Sequence, residues 1–240
     1  KIIGNDIHLD FPSVGATENI ILASVLAEGT TTISNAAMEP EIIDLAECLN
    51  KMGGKITGAG TNFIKIEGVH KLKEIGYRIM PDRIEAGTFL CATAITGGKV
   101  KINNARSENL TPILYKLEEC GCEIEIEKNS ITITAPKRLK STDIKTLPYP
   151  GFPTDMQSIF ASILTISKGT SIIVENIFEN RYKYVSELKK MGAKITIEDK
   201  TIIIKGTRKL TGTTVYSTDL RRRSSINYCR ISSKRRNSNK

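Results

Sequence analysis

The sequence of 240 residues contains no tryptophan and only two histidines, His8 and His70. Two widely separated histidines give no basis for a metal cluster. The sequence also lacks an apolar run of the roughly 18 residues that a membrane-spanning helix requires, and no secretory signal opens it. We therefore expect a cytoplasmic protein that binds neither a metal ion nor a membrane.

Five cysteines are present, and none stands in a spacing typical of metal ligands. Cys120 and Cys122 enclose a single residue, which is tighter than the usual two-residue spacer of a zinc knuckle, and no matching pair stands elsewhere. The remaining cysteines are Cys48, Cys91 and Cys229. We expect these thiols to be reduced and mostly buried, as in a cytosolic protein.

The net charge of +9 suggests a nucleic-acid partner, but the excess of positive charge is confined to the end of the chain. From residue 222 onward there is no acid, and the basic residues are Arg222, Arg223, Arg230, Lys234, Arg235, Arg236 and Lys240. Taking these seven charges from +9 leaves +2 for the body of the protein. A basic tail can bind nucleic acid without sequence specificity. A non-catalytic nucleic-acid-binding module is therefore one alternative, which the few aromatic residues and the nearly neutral body disfavour.

Three stretches of the sequence share one layout, in which an apolar helical run ends at a glycine turn and a β-branched strand follows. The turn glycines are Gly29, Gly98 and Gly169, which lie 69 and 71 residues apart. A second helix follows in each copy, predicted over 45–51, 113–119 and 185–190. Each second helix ends at another glycine turn and leads into two alternating strands. We predict a repeated module of about seventy residues with two helices and about four strands.

The first helices of two copies are apolar on nearly every side, in the runs Ile20–Leu26 and Ile159–Ile166. Such helices must be covered on several sides. We therefore predict an α/β fold in which sheets enclose the helices. The period is too long for the common solenoids, which favours a closed arrangement of modules. A fourth copy begins at Ser217 and then breaks off.

Six strings carry a resemblance to a known family, and they occur in the family's order from about residue 4 to Arg221. They are Ser13-Val14-Gly15-Ala16-Thr17, Glu39-Pro40-Glu41-Ile42, Pro81-Asp82-Arg83-Ile84-Glu85, Phe152-Pro153-Thr154-Asp155-Met156-Gln157, Phe178-Glu179-Asn180-Arg181 and Thr218-Asp219-Leu220-Arg221. On these strings the chain resembles the UDP-N-acetylglucosamine enolpyruvyl transferases, whose fold is an inside-out α/β barrel of repeated modules. The shikimate-pathway enolpyruvyl transferases share that fold and are the alternative among enzymes.

The resemblance implies a division into domains. Residues 1–78 would be the last module of a first domain, which carries the catalytic loop in the family. Residues 79–221 would form a second domain with two modules and the start of a third, followed by an aberrant, disordered basic tail over 222–240. The two domains of the family close over a substrate cleft. The implied reaction transfers enolpyruvyl from phosphoenolpyruvate to the 3-hydroxyl of UDP-N-acetylglucosamine in bacterial peptidoglycan synthesis, with no cofactor.

Ser13, Val14 and Gly15 precede an apolar helix, and the resemblance implies that they contact the diphosphate of the sugar nucleotide. Backbone N–H groups at the start of a helix suit phosphate oxygens. Without the resemblance, Ser13 would be interpreted as a plain helix N-cap. Phe11 stands where some members of the family have a lysine, so that charge contact is absent.

Asp155 is the implied catalytic carboxylate, which would hydrogen-bond the sugar 3-hydroxyl and accept its proton. Its position alone would suggest an acid that stabilises a helix dipole. The resemblance further implies that Ile177, Phe178 and Arg181 line the uridine side of the cleft, although an aliphatic–aromatic pair after a strand is also typical of a core.

Two further pairs of residues belong to the resemblance. Asp219 and Arg221 resemble a pair in the substrate cleft, with Arg221 facing anionic groups of the substrates. Asp82 and Arg83 are expected to serve the junction between the domains, where an ion pair and a ligand contact are both open interpretations.

Several parts of the family's active site have no counterpart in this chain. The proton-donating cysteine, or the aspartate that replaces it, would precede residue 1, as would a Lys-Asn pair and one arginine that binds phosphoenolpyruvate. Another such arginine would follow residue 240. Since the sequence begins with Lys1 rather than Met, we expect that the natural start is missing and that the chain alone lacks transferase activity. A one-base shift after residue 224, with suitable codons, would turn the basic tail into an apolar helix, so we interpret the tail as frameshifted.

Overall fold

The computed structural model describes residues 2–179 and 181–216. The chain divides into two compact units, of which unit 1 comprises Lys1–Met80 with Pro148–Pro150, and unit 2 comprises Pro81–Leu147 with Gly151–Lys240. Whether these units correspond to the two domains of the family stays a prediction. The predicted fourth copy, Asp219, Arg221, Cys229 and the basic tail lie outside the described residues.

Unit 1 contains one copy of the repeated module. In chain order its elements are β1 (Asp6–His8), α1 (Val14–Ser24), β2 (Thr30–Ser34), α2 (Pro40–Lys51), β3 (Lys55–Thr57) and β4 (Phe63–Glu67). The strands form one sheet in the order β1-β2-β4-β3. Strand β1 runs parallel to β2, and the other neighbours are antiparallel.

Unit 2 contains two further copies. Its elements are α3 (Arg83–Thr96), β5 (Lys99–Asn103), α4 (Thr111–Glu119), β6 (Glu123–Glu127), β7 (Ser130–Thr134), β8 (Ile144–Lys145), α5 (Gln157–Leu164), β9 (Thr170–Val174), α6 (Val185–Lys190), β10 (Lys194–Glu198) and β11 (Thr201–Lys205). Two sheets result, with the orders β5-β7-β6 and β10-β11-β9-β8. Strand β8 runs parallel to β9, as β1 does to β2.

The predicted repeat is confirmed by the topology of the three copies. Each copy contributes three antiparallel strands in one spatial order, which is β2-β4-β3, β5-β7-β6 or β9-β11-β10. The glycines after the second helices, Gly53, Gly121 and Gly192, have φ values of 100°, 91° and 88°. Glycine adopts this left-handed conformation at little cost, which explains why all three second helices end there.

Helix α5 in unit 2 confirms the prediction of an enclosed helix. All eight residues of α5 are buried, and α5 packs against α3, β9 and the turn that precedes it. The rings of Phe152 and Phe160 meet edge to face, with their centroids 5.1 Å apart. One continuous hydrophobic core therefore joins both modules of unit 2.

For α1 in unit 1 the same prediction is wrong. Thr17, Ile21 and Ser24 are its buried residues, whereas Leu22 and Leu26 in the predicted run are 52% and 54% exposed. The main contacts of α1 are with α2, β2 and β4. These neighbours cover one side of the helix and leave the side with the two leucines open.

The cysteines in the described residues are free, as predicted. Cys91, Cys120 and Cys122 are buried, and Cys48 is half-buried. Burial raises the pKa of Cys120 to about 12 and that of Cys122 to about 11, so both thiols are protonated at neutral pH. Of the helices that the structure describes, none has the length and apolar character needed to cross a bilayer.

Candidate functional site

The strongest candidate site lies in unit 2, at the start of α5. A short 3₁₀ turn spans Thr154–Met156, and the buried side chains of Phe152, just before it, and Met156, its last residue, anchor this segment in the core. Thr154 and Asp155 therefore stand between two apolar anchors, in a segment whose backbone is fixed by the core. Such a support orients polar side chains more firmly than an open loop does.

Arg181, from the segment that follows β9, pairs with the carboxylate of Asp155. Its Nη1 and Nη2 atoms each lie 3.1 Å from Asp155 Oδ1, and Nη1 also donates to Thr154 Oγ1 at 2.7 Å. The side chains of Arg181 and Asp155 are 16% and 36% exposed. The guanidinium carbon lies 4.4 Å from the centroid of the Phe178 ring, within the range of a cation–π contact.

The carboxylate of Glu175 supports this pair through the hydroxyl of Thr154. Its residue is 1% exposed, and its Oε2 accepts a hydrogen bond from Thr154 Oγ1 at 2.9 Å. Its Oε1 accepts from Thr146 Oγ1 at 2.9 Å and from the backbone N–H groups of Ile177 and Phe178 at 2.9 and 3.2 Å. Four donors thus satisfy a buried carboxylate, which would be costly to bury without them.

Tyr182 and Tyr184, which are buried near Glu175, are neutral at physiological pH. Burial, followed by the nearby Glu175 carboxylate, raises the pKa of Tyr182 to about 12. Its hydroxyl donates to the carbonyl oxygen of Lys200 at 2.8 Å. Burial also raises the pKa of Tyr184 well above its usual value. Neither phenol therefore adds a negative charge beside Glu175, which is linked to Arg181 by hydrogen bonds through the hydroxyl of Thr154.

The predicted phosphate-binding segment, Ser13 to Gly15, begins α1 in unit 1. Ser13 is the N-cap, and its side-chain oxygen accepts from the backbone N–H of Ala16 at 3.3 Å. No acidic residue stands in the first turn of the helix, and an added Cβ on Gly15 would meet nothing within 4 Å. An exposed helix start without acidic neighbours in its first turn can accept an anion, and the phosphate assignment stays a prediction.

Asp82 has a local structural role at the start of α3. Its Oδ1 accepts from the backbone N–H groups of Ile84 and Glu85 at 2.7 and 3.2 Å. It is thus the N-cap of a helix in which Arg83 is the first residue. A contribution of Asp82 and Arg83 to a domain junction stays a prediction.

The structure brings together the predicted residues Asp155, Phe178 and Arg181, and holds Ile177 beside them through its backbone. The sequence did not predict the roles of Thr154 and Glu175. Thr154 stands inside one of the six strings, so the strings contained a signal for it. Glu175 directly follows a strand, where an acid is ordinarily exposed, and no local pattern indicates its burial. In the part of the chain that the structure describes, no group of three or more His, Cys, Asp or Glu residues could hold a metal ion.

Comparison with known proteins defines the class to which this fold and site belong. The family model described as EPSP synthase (3-phosphoshikimate 1-carboxyvinyltransferase) matches residues 1–226. The chain belongs to this family of carboxyvinyl, or enolpyruvyl, transferases.

Solved structures of the class share the fold. The enolpyruvyl transferase NikO from Streptomyces tendae superimposes with a TM-score of 0.85 at 20% identity, over 95% of this chain and 58% of that one. EPSP synthase from Acinetobacter baumannii gives a TM-score of 0.72 at 21% identity, over 98% of this chain and 57% of that one. At such identities the similarity shows the fold alone, and it confirms the predicted enolpyruvyl transferase fold.

The curated relatives carry a more specific name than the family model does. UDP-N-acetylglucosamine 1-carboxyvinyltransferases 1 and 2 of Caldanaerobacter subterraneus subsp. tengcongensis are each 55% identical to this chain over 92% of its length. The protein of that name from Finegoldia magna is 53% identical over 92% of the chain. The chain spans about half the length of these relatives, covering 53%, 53% and 52% of them. The predicted resemblance is confirmed, and neither alternative is favoured by these names.

Proposed function

We propose that this chain forms the sugar-nucleotide part of a UDP-N-acetylglucosamine 1-carboxyvinyltransferase. The whole protein would transfer enolpyruvyl from phosphoenolpyruvate to the sugar 3-hydroxyl in bacterial peptidoglycan synthesis, in the cytoplasm. The observation that carries the proposal is the partly exposed Asp155 carboxylate, which Arg181 holds at the start of a buried helix. The names of relatives that share more than half of the aligned residues supply the substrate.

Asp155 would act as the general base. A carboxylate within hydrogen-bond reach of a hydroxyl can accept its proton while the oxygen attacks an electrophilic carbon. Here the oxygen of the sugar 3-hydroxyl would add to the enol carbon of phosphoenolpyruvate that carries the phosphate, while the neighbouring methylene carbon takes up a proton. Loss of inorganic phosphate and of one methyl proton would then re-form the double bond. Arg181 contacts Oδ1 through two N–H groups and so fixes the orientation of the carboxylate.

The other predicted residues would bind the substrates. Phe178 is 51% exposed and, with Ile177, would face the uridine. The helix start at Ser13, Val14 and Gly15 would take the diphosphate. From the sequence resemblance, Asp219 and Arg221 would also contact groups of the substrates.

Replacing the proposed base tests the assignment directly. The assay protein is a chimera, in which this sequence up to Arg221 replaces the matching segment of Caldanaerobacter relative 1. In the chimera, Asp155→Asn should lower kcat by about 10²–10⁴-fold, the usual contribution of general-base catalysis. The KM for UDP-N-acetylglucosamine should change much less, because the amide keeps one hydrogen-bond acceptor. Phosphate release at saturating phosphoenolpyruvate gives both constants.

Asp199→Asn is the matched control, since it makes the same chemical change at an exposed residue in the turn between β10 and β11. Its kcat should equal that of the unsubstituted chimera. If Asp155→Asn turned over at the same rate as this control, Asp155 would not be the base.

A further inference from the structure

Glu175 occupies a position from which it can control the geometry of Asp155 without touching a substrate. We infer that the buried Glu175 carboxylate is a positioning residue, which orients Arg181 through the hydroxyl of Thr154 and thereby fixes Asp155. The catalytic consequence of this inference rests on the proposed function, whereas the positioning itself is a property of the fold.

The direction of the hydrogen bonds follows from the chemistry of the three groups. Thr154 Oγ1 lies 2.7 Å from Arg181 Nη1 and 2.9 Å from Glu175 Oε2. A guanidinium group only donates hydrogen bonds and an ionised carboxylate only accepts them. The single hydroxyl proton of Thr154 must therefore point to Glu175, which leaves its oxygen free to accept from Arg181. Both bonds are assisted by a charge, which makes them stronger than neutral ones.

The second oxygen of Glu175 fixes the backbone that leads to Arg181. Oε1 accepts from the N–H groups of Ile177 and Phe178, which precede Arg181 by four and three residues in the chain. The Phe178 ring in turn lies against the guanidinium group, 4.4 Å from its carbon. One buried side chain thus holds both the hydroxyl that binds Arg181 and the ring on which Arg181 rests.

The substitution Glu175→Gln keeps the shape of the side chain and replaces one acceptor by a donor. With the NH₂ group in the place of Oε2, it would donate to Thr154 and turn the hydroxyl proton towards the N–H groups of Arg181. With the NH₂ group in the place of Oε1, it would face the two backbone N–H groups of Ile177 and Phe178. In either orientation, hydrogen-bond donors face each other without an acceptor between them. Leaving buried donors without acceptors is costly.

The positioning is measured on the full 240-residue chain by NMR. In Glu175→Gln with the NH₂ group in the place of Oε1, backbone amide exchange at Ile177 and Phe178 should become at least about tenfold faster, because both amides lose their hydrogen-bond acceptor. The restrained Nη signals of Arg181 should change to those of a freely rotating guanidinium group. The amides of Ile173 and Ile202, in the paired strands β9 and β11, should keep their exchange rates within about twofold.

Glu198→Gln is the matched control, because it neutralises an exposed glutamate on β10 in the same unit. It should leave Ile177, Phe178 and Arg181 unchanged. Equal loss of protection at Ile173 and Ile202 in Glu175→Gln would overturn the inference, since Glu175 would then be a general stability residue. Unchanged signals from Arg181 would overturn it as well.

The catalytic consequence is measured in the chimera with a second pair of variants. Glu175→Gln and Thr154→Val should each lower kcat by about tenfold or more while changing the KM for UDP-N-acetylglucosamine less. The kcat of the double variant should fall no further than that of the more damaging single variant, because both substitutions break the same hydrogen-bonded link. Thr154→Ser, which keeps the hydroxyl, should restore activity.

Multiplied losses in the double variant would overturn the link. An unsubstituted chimera without turnover would instead refute the proposed function, and the NMR result would still decide the positioning.

Discussion

Helices α1 and α5 occupy the same place in two copies of one module, yet their surroundings differ. All eight residues of α5 are buried, whereas three of the eleven residues of α1 are buried. Both sequences are strongly apolar, so local sequence does not explain the difference. Helix α5 packs against α3 of the neighbouring module in unit 2, and unit 1 holds a single module in the described residues.

Within the described residues, the single module of unit 1 leaves one side of its first helix exposed. Stacking of neighbouring modules completes the core, as in other repeat architectures. Leu22 and Leu26 mark the exposed side of α1. The candidate site benefits from the complete core of unit 2, because Asp155 stands at the start of the fully enclosed helix.

The largest predicted contrast is in the cores. Phe160 on α5 is fully buried, so Phe160→Ala should lower the free energy of unfolding by about 3–5 kcal/mol. Leu22→Ala on α1 should cost less than about 1 kcal/mol, because half of that side chain is exposed. Urea denaturation of both variants measures the difference. Equal losses would mean that α1 is enclosed as tightly as α5.

A smaller contrast is predicted for two helical glycines, whose replacement by alanine should change the stability of the fold in opposite directions. A Cβ on Gly87 in α3 would lie 3.0 Å from Met156 Cε and 3.2 Å from Ile113 Cδ1. Gly87→Ala should therefore destabilise the fold by about 1 kcal/mol after the gain in helix propensity is deducted. Gly15→Ala in α1 meets open space and should stabilise by about 0.4–1 kcal/mol. Thermal unfolding of the two variants checks the signs, and a shift of both in one direction would contradict the comparison.

The smallest contrast concerns the helix caps. Asp82 accepts two backbone hydrogen bonds at the start of α3, and Ser13 accepts one long bond at the start of α1. Asp82→Ala should cost about 1–2 kcal/mol and Ser13→Ala about 0.5–1 kcal/mol. Chemical denaturation ranks the two losses. A larger loss for Ser13→Ala would show that its helix depends more on local capping than the structure indicates.

The sequence predicted the parts of the fold that depend on local chemistry. The three copies, their glycine turns and their alternating strands follow from spacing and side-chain type over a few residues. The enclosure of α5 was predicted correctly and that of α1 was not, since burial depends on neighbouring modules that a helical run does not specify.

The candidate site was predictable only in part. Asp155, Phe178 and Arg181 stand in strings that resemble the family, and the structure brings these three together. The link through Thr154 to Glu175 joins residues 21 positions apart, so no local pattern indicates it. A buried acid after a strand becomes recognisable only when its four donors have been placed around it.

The substrate preference of the chimera tests the central claim most directly. Phosphate release from phosphoenolpyruvate is followed with UDP-N-acetylglucosamine or shikimate 3-phosphate as the acceptor, and each acceptor is also tested as a competitor of the other. The proposed function predicts turnover with UDP-N-acetylglucosamine and neither turnover nor competition with shikimate 3-phosphate. Turnover with shikimate 3-phosphate, or none with UDP-N-acetylglucosamine, would contradict it.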